Sequence, residues 1–267
     1  MSIIQAIILA IVEGLTEFLP VSSTAHMKFT NPLIGVSSTP FSNMFEIVIQ
    51  LGAILSVVFA YSKKFFDFKH YSFYIKLVVA VIPALIAGAL LKKYIDTALD
   101  NLEFIACVMV VGGIVLIFID NLFKNPTIAK EKNISYPKAF IIGCFQVLSV
   151  LFPGLSRSAA TIIGGMSQKL TRKLAAEFSF FLAVPTMIAA SAKSFYDVYK
   201  DHPEALARQN MTTLGIGAVI SFVVALLTIR FFINYLQKHG FRLFGIYRIL
   251  LGSILLILLF SGIIHNN

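Results

Sequence analysis

Six stretches of this chain, residues 45–62, 74–91, 102–119, 174–192, 212–229 and 245–264, stay apolar for 18 to 20 residues with few charges. At 1.5 Å of rise per residue, each is about long enough to cross the ~30 Å hydrocarbon core of a bilayer as a helix. In hydrocarbon every backbone N–H and C=O needs a partner within the protein, which leaves helices or a closed barrel. Continuous apolar runs, rather than alternating ones, select helices. Composition agrees: of 267 residues, 58% are hydrophobic and 13% charged, against roughly 25% charged in a soluble domain. The net charge of +9 sits in short loops between the runs, with no separate basic domain, so nucleic acid is not an expected partner.

Two further apolar segments, residues 3–19 and 139–152, each stop at a proline, Pro20 and Pro153. A small, polar run follows each. Sliding one half over the other by 133 residues places Ala6 on Ala139, Glu13 on Gln146, Pro20 on Pro153, Ser23 on Ser156 and Phe45 on Phe178. A single ungapped offset of half the chain marks an internal duplication. The repeats run from about 1 to 125 and about 134 to 267 within one integral membrane domain, and the polar linker 120–138 lies at their junction.

If each proline-broken element enters and leaves by the same face, each half keeps three full spans. Three is odd, so the second repeat is inverted. The expected fold is therefore an all-α polytopic membrane protein of two inverted-topology repeats, each with one re-entrant broken-helix element and three transmembrane helices. The 22 lysines and arginines agree: fifteen, among them Lys63, Lys64, Lys69, Lys76 and Arg248, collect on one side and six on the other, with Arg157 left at membrane depth. The richer side is expected to be cytoplasmic, with both termini outside. No basic segment and cleavage site precede the first apolar run, so no removable signal peptide is expected. Residues 27–43 read as loop, Pro83 and Pro185 as tolerated kinks, Cys107 and Cys144 as buried thiols without metal-ligand spacing, and the 25 phenylalanines mainly as lipid-facing bulk.

Chemistry concentrates at the two breaks. Glu13 and Glu17 share a helix face at i,i+4, and a carboxylate at bilayer depth costs roughly 2.5–3.5 kcal/mol on insertion scales, so it is expected to work in a cavity. Non-helical backbone at that depth must be buried in protein or line water. The chain after each proline can start a half-helix whose free N–H groups and dipole favour an anion. Arg157 adds a guanidinium matched to phosphate oxygens. The hydroxyls of Ser22, Ser23, Thr24, Ser156, Ser158 and Thr161 complete an oxygen cradle for a phosphate group. Ser23 and His26, at i and i+3, can supply a nucleophile and an acid/base. Glu13 and Glu17 can orient His26, activate a hydroxyl or hold Mg²⁺ or Ca²⁺. Glu46, Gln50 and Glu177 read as helix-contact or cavity-lining groups.

The residues Glu-Gly-Leu-Thr-Glu-Phe-Leu-Pro-Val-Ser-Ser-Thr-Ala-His at 13–26 and Pro-Gly-Leu-Ser-Arg-Ser at 153–158 resemble the two signature motifs of bacterial undecaprenyl-diphosphate phosphatases, the bacitracin-resistance family. The resemblance runs essentially end to end, including residues 45–52 and 176–180. It implies hydrolysis of undecaprenyl diphosphate to undecaprenyl phosphate and inorganic phosphate, which recycles the lipid carrier of cell-wall synthesis. It also implies a divalent cation, a multi-pass protein of the bacterial plasma membrane, a site open to the outer leaflet, and functional roles for Glu13, Glu17, Ser23, His26 and Arg157. Ala25 and Ala159 stand where the family usually has glycine, each adding a methyl beside the site. Inverted repeats with broken helices are also the architecture of secondary transporters, so a carrier or flippase of polyprenyl phosphate lipids is the alternative. The Glu/Ser/His set favours the enzyme. The sequence leaves a homodimer, the metal and the nucleophile (Ser23, His26 or water) open.

Overall fold

In the computed structural model, which describes residues 1–66 and 71–264, the regular elements are helical. In chain order they are α1 (Ile3–Thr16), α2 (Ser23–Leu33), α3 (Pro40–Ala60), the single turn α4 (Ser62–Phe65), α5 (Tyr71–Leu90), α6 (Lys92–Asp100), α7 (Leu102–Leu122), α8 (Tyr136–Leu151), α9 (Arg157–Ser167), α10 (Arg172–Asp201), α11 (Arg208–His239) and α12 (Arg242–Phe260). Among the described residues α3, α5, α7, α10, α11 and α12 are long and apolar enough to cross a membrane. They occupy the six apolar runs, and the chain is a multi-pass membrane protein. Lys69, one of the lysines in the charge tally, lies outside the described residues.

Local chemistry sets the helix starts. Thr39 caps α3 by accepting from Ser42 N, with Pro40 at the first helical position, where its missing N–H is not needed. Asn101 caps α7 by accepting from Phe104 N at 2.8 Å. Pro83 and Pro185 lie inside α5 and α10, which continue past them.

Three expectations are corrected. The loop expected over residues 27–43 is confined to 34–39, because α2 runs on to Leu33. Ala25 and Phe29, one turn apart on α2, bury against Leu102, Ile105 and Ala106 of α7, and that packing outweighs the turn chemistry of Asn31-Pro32. Cys107 and Cys144 are exposed rather than buried. The phenylalanines divide: Phe18, Phe45, Phe178, Phe180, Phe181, Phe232 and Phe241 are fully enclosed, whereas Phe59, Phe118, Phe231 and Phe260 face outward. The enclosed rings meet edge to face, as Phe18 and Phe180 do at 4.9 Å and Phe73 and Phe181 at 5.1 Å. A helix that is apolar all round carries no period to tell lipid from core.

The halves interlock. The broken-helix arm α1 of the first half rests on α11 of the second, and α8 of the second rests on α5 of the first. The most extensive pairing is α7 with α12. It is reciprocal at its centre: a methyl on Gly113 would meet the carbonyl of Gly245, and one on Gly245 the carbonyl of Gly113, each at 2.7 Å. Two glycines therefore let these backbones touch. The same seam supports the ends of both breaks.

Candidate functional site

α1 ends at Thr16, with Glu17 capping it, and α2 starts at Ser23; α8 ends at Leu151, capped by Phe152, and α9 starts at Arg157. Each new helix is capped by a serine in a left-handed conformation, Ser22 at φ 72° and Ser156 at φ 75°. Their hydroxyl oxygens accept from the amides of Ala25 and Ala159, both at 3.3 Å. A positive φ at a residue with a Cβ costs on the order of 1–3 kcal/mol and persists where the surroundings enforce it. Two residues lead from Pro20 to its cap and three from Pro153, so Ser22 and Ser156 stand 134 residues apart rather than at the offset of 133, and the first helical positions hold Ser23 and Arg157.

The two breaks meet at a cavity of about 310 Å³. Glu17, Ser22, Ser23 and Thr24 line it from the first, and Pro153, Gly154, Ser156 and Arg157 from the second. Gln50 and Gln146 add amides, while Ile47, Val150 and Met187, with Ile95 and Leu99 of the short helix α6, form an apolar wall. A polar end and an apolar wall suit an amphiphile.

Glu17 joins the breaks. Its Oε2 accepts the Ser23 hydroxyl at 2.6 Å and its Oε1 accepts Nη2 of Arg157 at 2.7 Å. Both partners are largely buried, so their charge-assisted bonds are shielded from water. Arg157 Nη1 also donates to the carbonyl of Ser179 at 3.3 Å, and its remaining guanidinium N–H groups have no partner among the described residues. One turn back, Glu13 is wholly enclosed and neither of its carboxylate oxygens accepts from a protein N–H or hydroxyl donor among the described residues.

Other predicted residues lie apart from the cavity. His26 does not bond Ser23: its Nδ1 donates to the carbonyl of Ser22 at 2.8 Å, which leaves Nε2 to accept the Tyr247 hydroxyl at 2.7 Å. The rings of His26 and Tyr247 stack at 5.7 Å. Ser158 and Thr161 face protein. The Ser158 hydroxyl donates to the carbonyl of Leu19 at 3.0 Å, and Thr161 donates to the carbonyl of Arg157 at 2.8 Å beside Ser179 Oγ at 2.6 Å. These bonds brace one break against the other and against α10. The Ala25 and Ala159 methyls lie in hydrophobic clusters, not on the cavity wall. Asn31 donates to Glu46 at 2.5 Å and Lys64 reaches Glu177 at 3.5 Å, so both glutamates make helix contacts.

Arg248 was missed by the sequence. Counted above as a loop charge, it is fully enclosed at the junction of the breaks with α7. A methyl on Gly112 would overlap its guanidinium, so that glycine makes the room. An arginine just inside an apolar run was the available signal.

Fold and site together define a polytopic, all-helical membrane protein with a cavity, polar at one end and apolar along its wall, between two broken helices. The chain belongs to the family described as bacitracin resistance protein BacA, whose model matches residues 6–254. Among its curated relatives, the undecaprenyl-diphosphatase of Porphyromonas gingivalis strain W83 is 48% identical, with 98% of this chain and 99% of that protein covered. The undecaprenyl-diphosphatase of Flavobacterium johnsoniae is 51% identical, with 97% of each chain covered. That of Bdellovibrio bacteriovorus is 42% identical, with 98% of each chain covered.

Proposed function

We propose that this protein is an undecaprenyl-diphosphate phosphatase that releases inorganic phosphate and returns undecaprenyl phosphate to cell-wall synthesis, conferring bacitracin resistance. Membership of the family and the names of full-length relatives support the activity. The observation that carries the chemistry is the chain Ser23–Glu17–Arg157 on the cavity wall, which sets a hydroxyl, a base and a guanidinium around one space.

In this reading the diphosphate occupies the polar end and the prenyl tail leaves along the apolar wall into lipid. Ser23 Oγ attacks the terminal phosphorus as its proton passes to Glu17 Oε2. The Oγ–P bond forms, the bridging P–O bond breaks and undecaprenyl phosphate departs. Water then attacks the phosphoserine, restoring the hydroxyl and releasing phosphate. Arg157 and the N–H groups at the starts of α2 and α9 hold the equatorial oxygens. His26, held by Ser22 and Tyr247, keeps the first break in shape. A divalent cation, Mg²⁺ or Ca²⁺, would neutralise phosphate charge when bound. Glu13, whose oxygens accept from no protein donor among the described residues, and Glu17 would hold such an ion, and oxygen ligands suit either metal. The finer topology belongs to the same reading: inverted repeats in the bacterial plasma membrane, termini outside, the chamber open to the outer leaflet and a protomer free to pair with a second copy.

Phosphate release from undecaprenyl diphosphate by purified full-length protein, with Mg²⁺ or Ca²⁺ and with EDTA, tests the activity. Ser23→Ala and Glu17→Gln are expected to lower the rate at least ~100-fold, and rapid quench of the wild type to trap phosphoserine. Turnover without a trapped phosphoserine would transfer the attack to water. No release by folded wild type would favour a lipid-phosphate transporter instead.

A further inference from the structure

Arg248 satisfies all five guanidinium donors with main-chain carbonyls. Nη1 donates to Leu155 at 2.7 Å and Pro20 at 3.2 Å, Nη2 to Gly154 at 2.8 Å and Val108 at 3.4 Å, and Nε to Met109 at 3.3 Å. Three of these carbonyls belong to the breaks and two to α7. The same guanidinium nitrogen therefore grips the first break and the second.

The orientation has a consequence for the opposite side of each peptide. The chain has no cis peptide bonds among the described residues, and in a trans peptide the C=O of one residue and the N–H of the next point in opposite directions. Drawing the Pro20 carbonyl toward Arg248 turns the Val21 N–H away from it. Drawing the Leu155 carbonyl in does the same for the Ser156 N–H. Neither amide has a hydrogen-bond partner among the described residues. The Leu155 N–H, turned by the Gly154 carbonyl, is by contrast consumed by Phe152 at 2.9 Å. Two donors, one per break, are thus left beside Ser22 and Ser156, which line the cavity.

We propose that Arg248 is a positioning residue that, by clamping the carbonyls of Pro20 and Leu155, presents the Val21 and Ser156 amides as a paired oxyanion site for the phosphoryl group in flight. The proposal rests on the phosphatase reading above. Lysine at 248 has three donors and no planar fork, so it cannot hold both breaks and α7 together. Donors of this kind act most strongly where charge develops in the transition state, each contributing about 10²–10³ in kcat. The clamp is therefore separable from a strut that only stabilises the fold.

The test uses full-length protein in detergent, with Arg248→Lys compared with wild type by thermal unfolding, kcat, KM for undecaprenyl diphosphate, and inhibition by orthovanadate, which mimics the five-coordinate phosphoryl group. The expected result is a kcat lower by about 100-fold, a KM within about threefold and a loss of vanadate affinity that tracks the loss of kcat. Gly112→Ala, which keeps the arginine but crowds Nη2, provides the second variant should lysine prevent folding, and the same pattern is expected in weaker form. Unchanged kcat per folded molecule, or a fall in kcat without a matching loss of vanadate affinity, would overturn the proposal alone. An inactive wild type would overturn the phosphatase reading, and the proposal with it.

Discussion

Among the described residues neither carboxylate oxygen of Glu13 accepts from a protein N–H or hydroxyl donor, although the side chain is wholly enclosed beside the carboxyl of Glu17. A buried carboxyl without a partner is destabilising by several kcal/mol, so its retention points to work rather than to fold. Glu13→Gln should leave the melting temperature unchanged or raise it by a few degrees while lowering phosphate release at least ~10-fold. Thermal unfolding and activity measured on one preparation decide this, and a lower melting temperature with normal turnover would make Glu13 structural. The motif at 13–26 showed which residue types gather at the first break, but spacing alone paired Ser23 with His26. In three dimensions Ser23 turns back to Glu17 at 2.6 Å and His26 turns to Tyr247 at 2.7 Å, 221 positions away. A helical register says which side chains share a face. It does not say which way a hydroxyl at a helix start will turn.

At the scale of elements, the seam between α7 and α12 is a reciprocal close approach of two backbones at Gly113 and Gly245. Gly113→Val would drive a side chain into the carbonyl of Gly245 and the side chains of Arg248 and Ile249. Overpacking of this kind destabilises by roughly 1–3 kcal/mol, so a clear drop in melting temperature is expected. Activity should fall with it, because Arg248 holds both breaks from the same seam. Full activity at the wild-type melting temperature would show that the seam tolerates a wider spacing. The helix caps are a second element-level device. Ser156→Ala removes the oxygen that accepts the Ala159 amide, and a lost cap costs about 1 kcal/mol. Thermal unfolding should show that loss without abolishing the fold. The existence of the long elements was legible from apolar runs and prolines, whereas the short charged helix α6 and the extent of α2 were not, since Phe29 is held by α7 rather than by its own sequence neighbours.

For the whole molecule, the charge tally makes a topological prediction. Its two sides survive the removal of Arg248, because that residue belongs to neither. With Cys107 and Cys144 replaced, a membrane-impermeant maleimide should label Lys92→Cys and Lys200→Cys in intact cells. Lys63→Cys and Lys238→Cys should react only after permeabilisation. All four positions are exposed, so accessibility reports sidedness. The opposite pattern would reverse the orientation, and a mixed one would remove the inversion of the repeats.

Read alone, the sequence was enough for the membrane class, the number and place of the spans, and the two breaks with their serines, arginine and glutamates. Those follow from hydropathy over a bilayer thickness and from the conformational limits of proline, both of which act along the chain. It took the folded molecule to show that Glu17 bridges Ser23 and Arg157, that Cys107 and Cys144 face outward while Phe180 and Phe181 face inward, and that Arg248 is no loop charge. Lipid and protein core are equally apolar, so hydropathy cannot divide one from the other. The partners of a buried polar group come from elements more than a hundred residues apart, and their meeting is set by how the halves interlock.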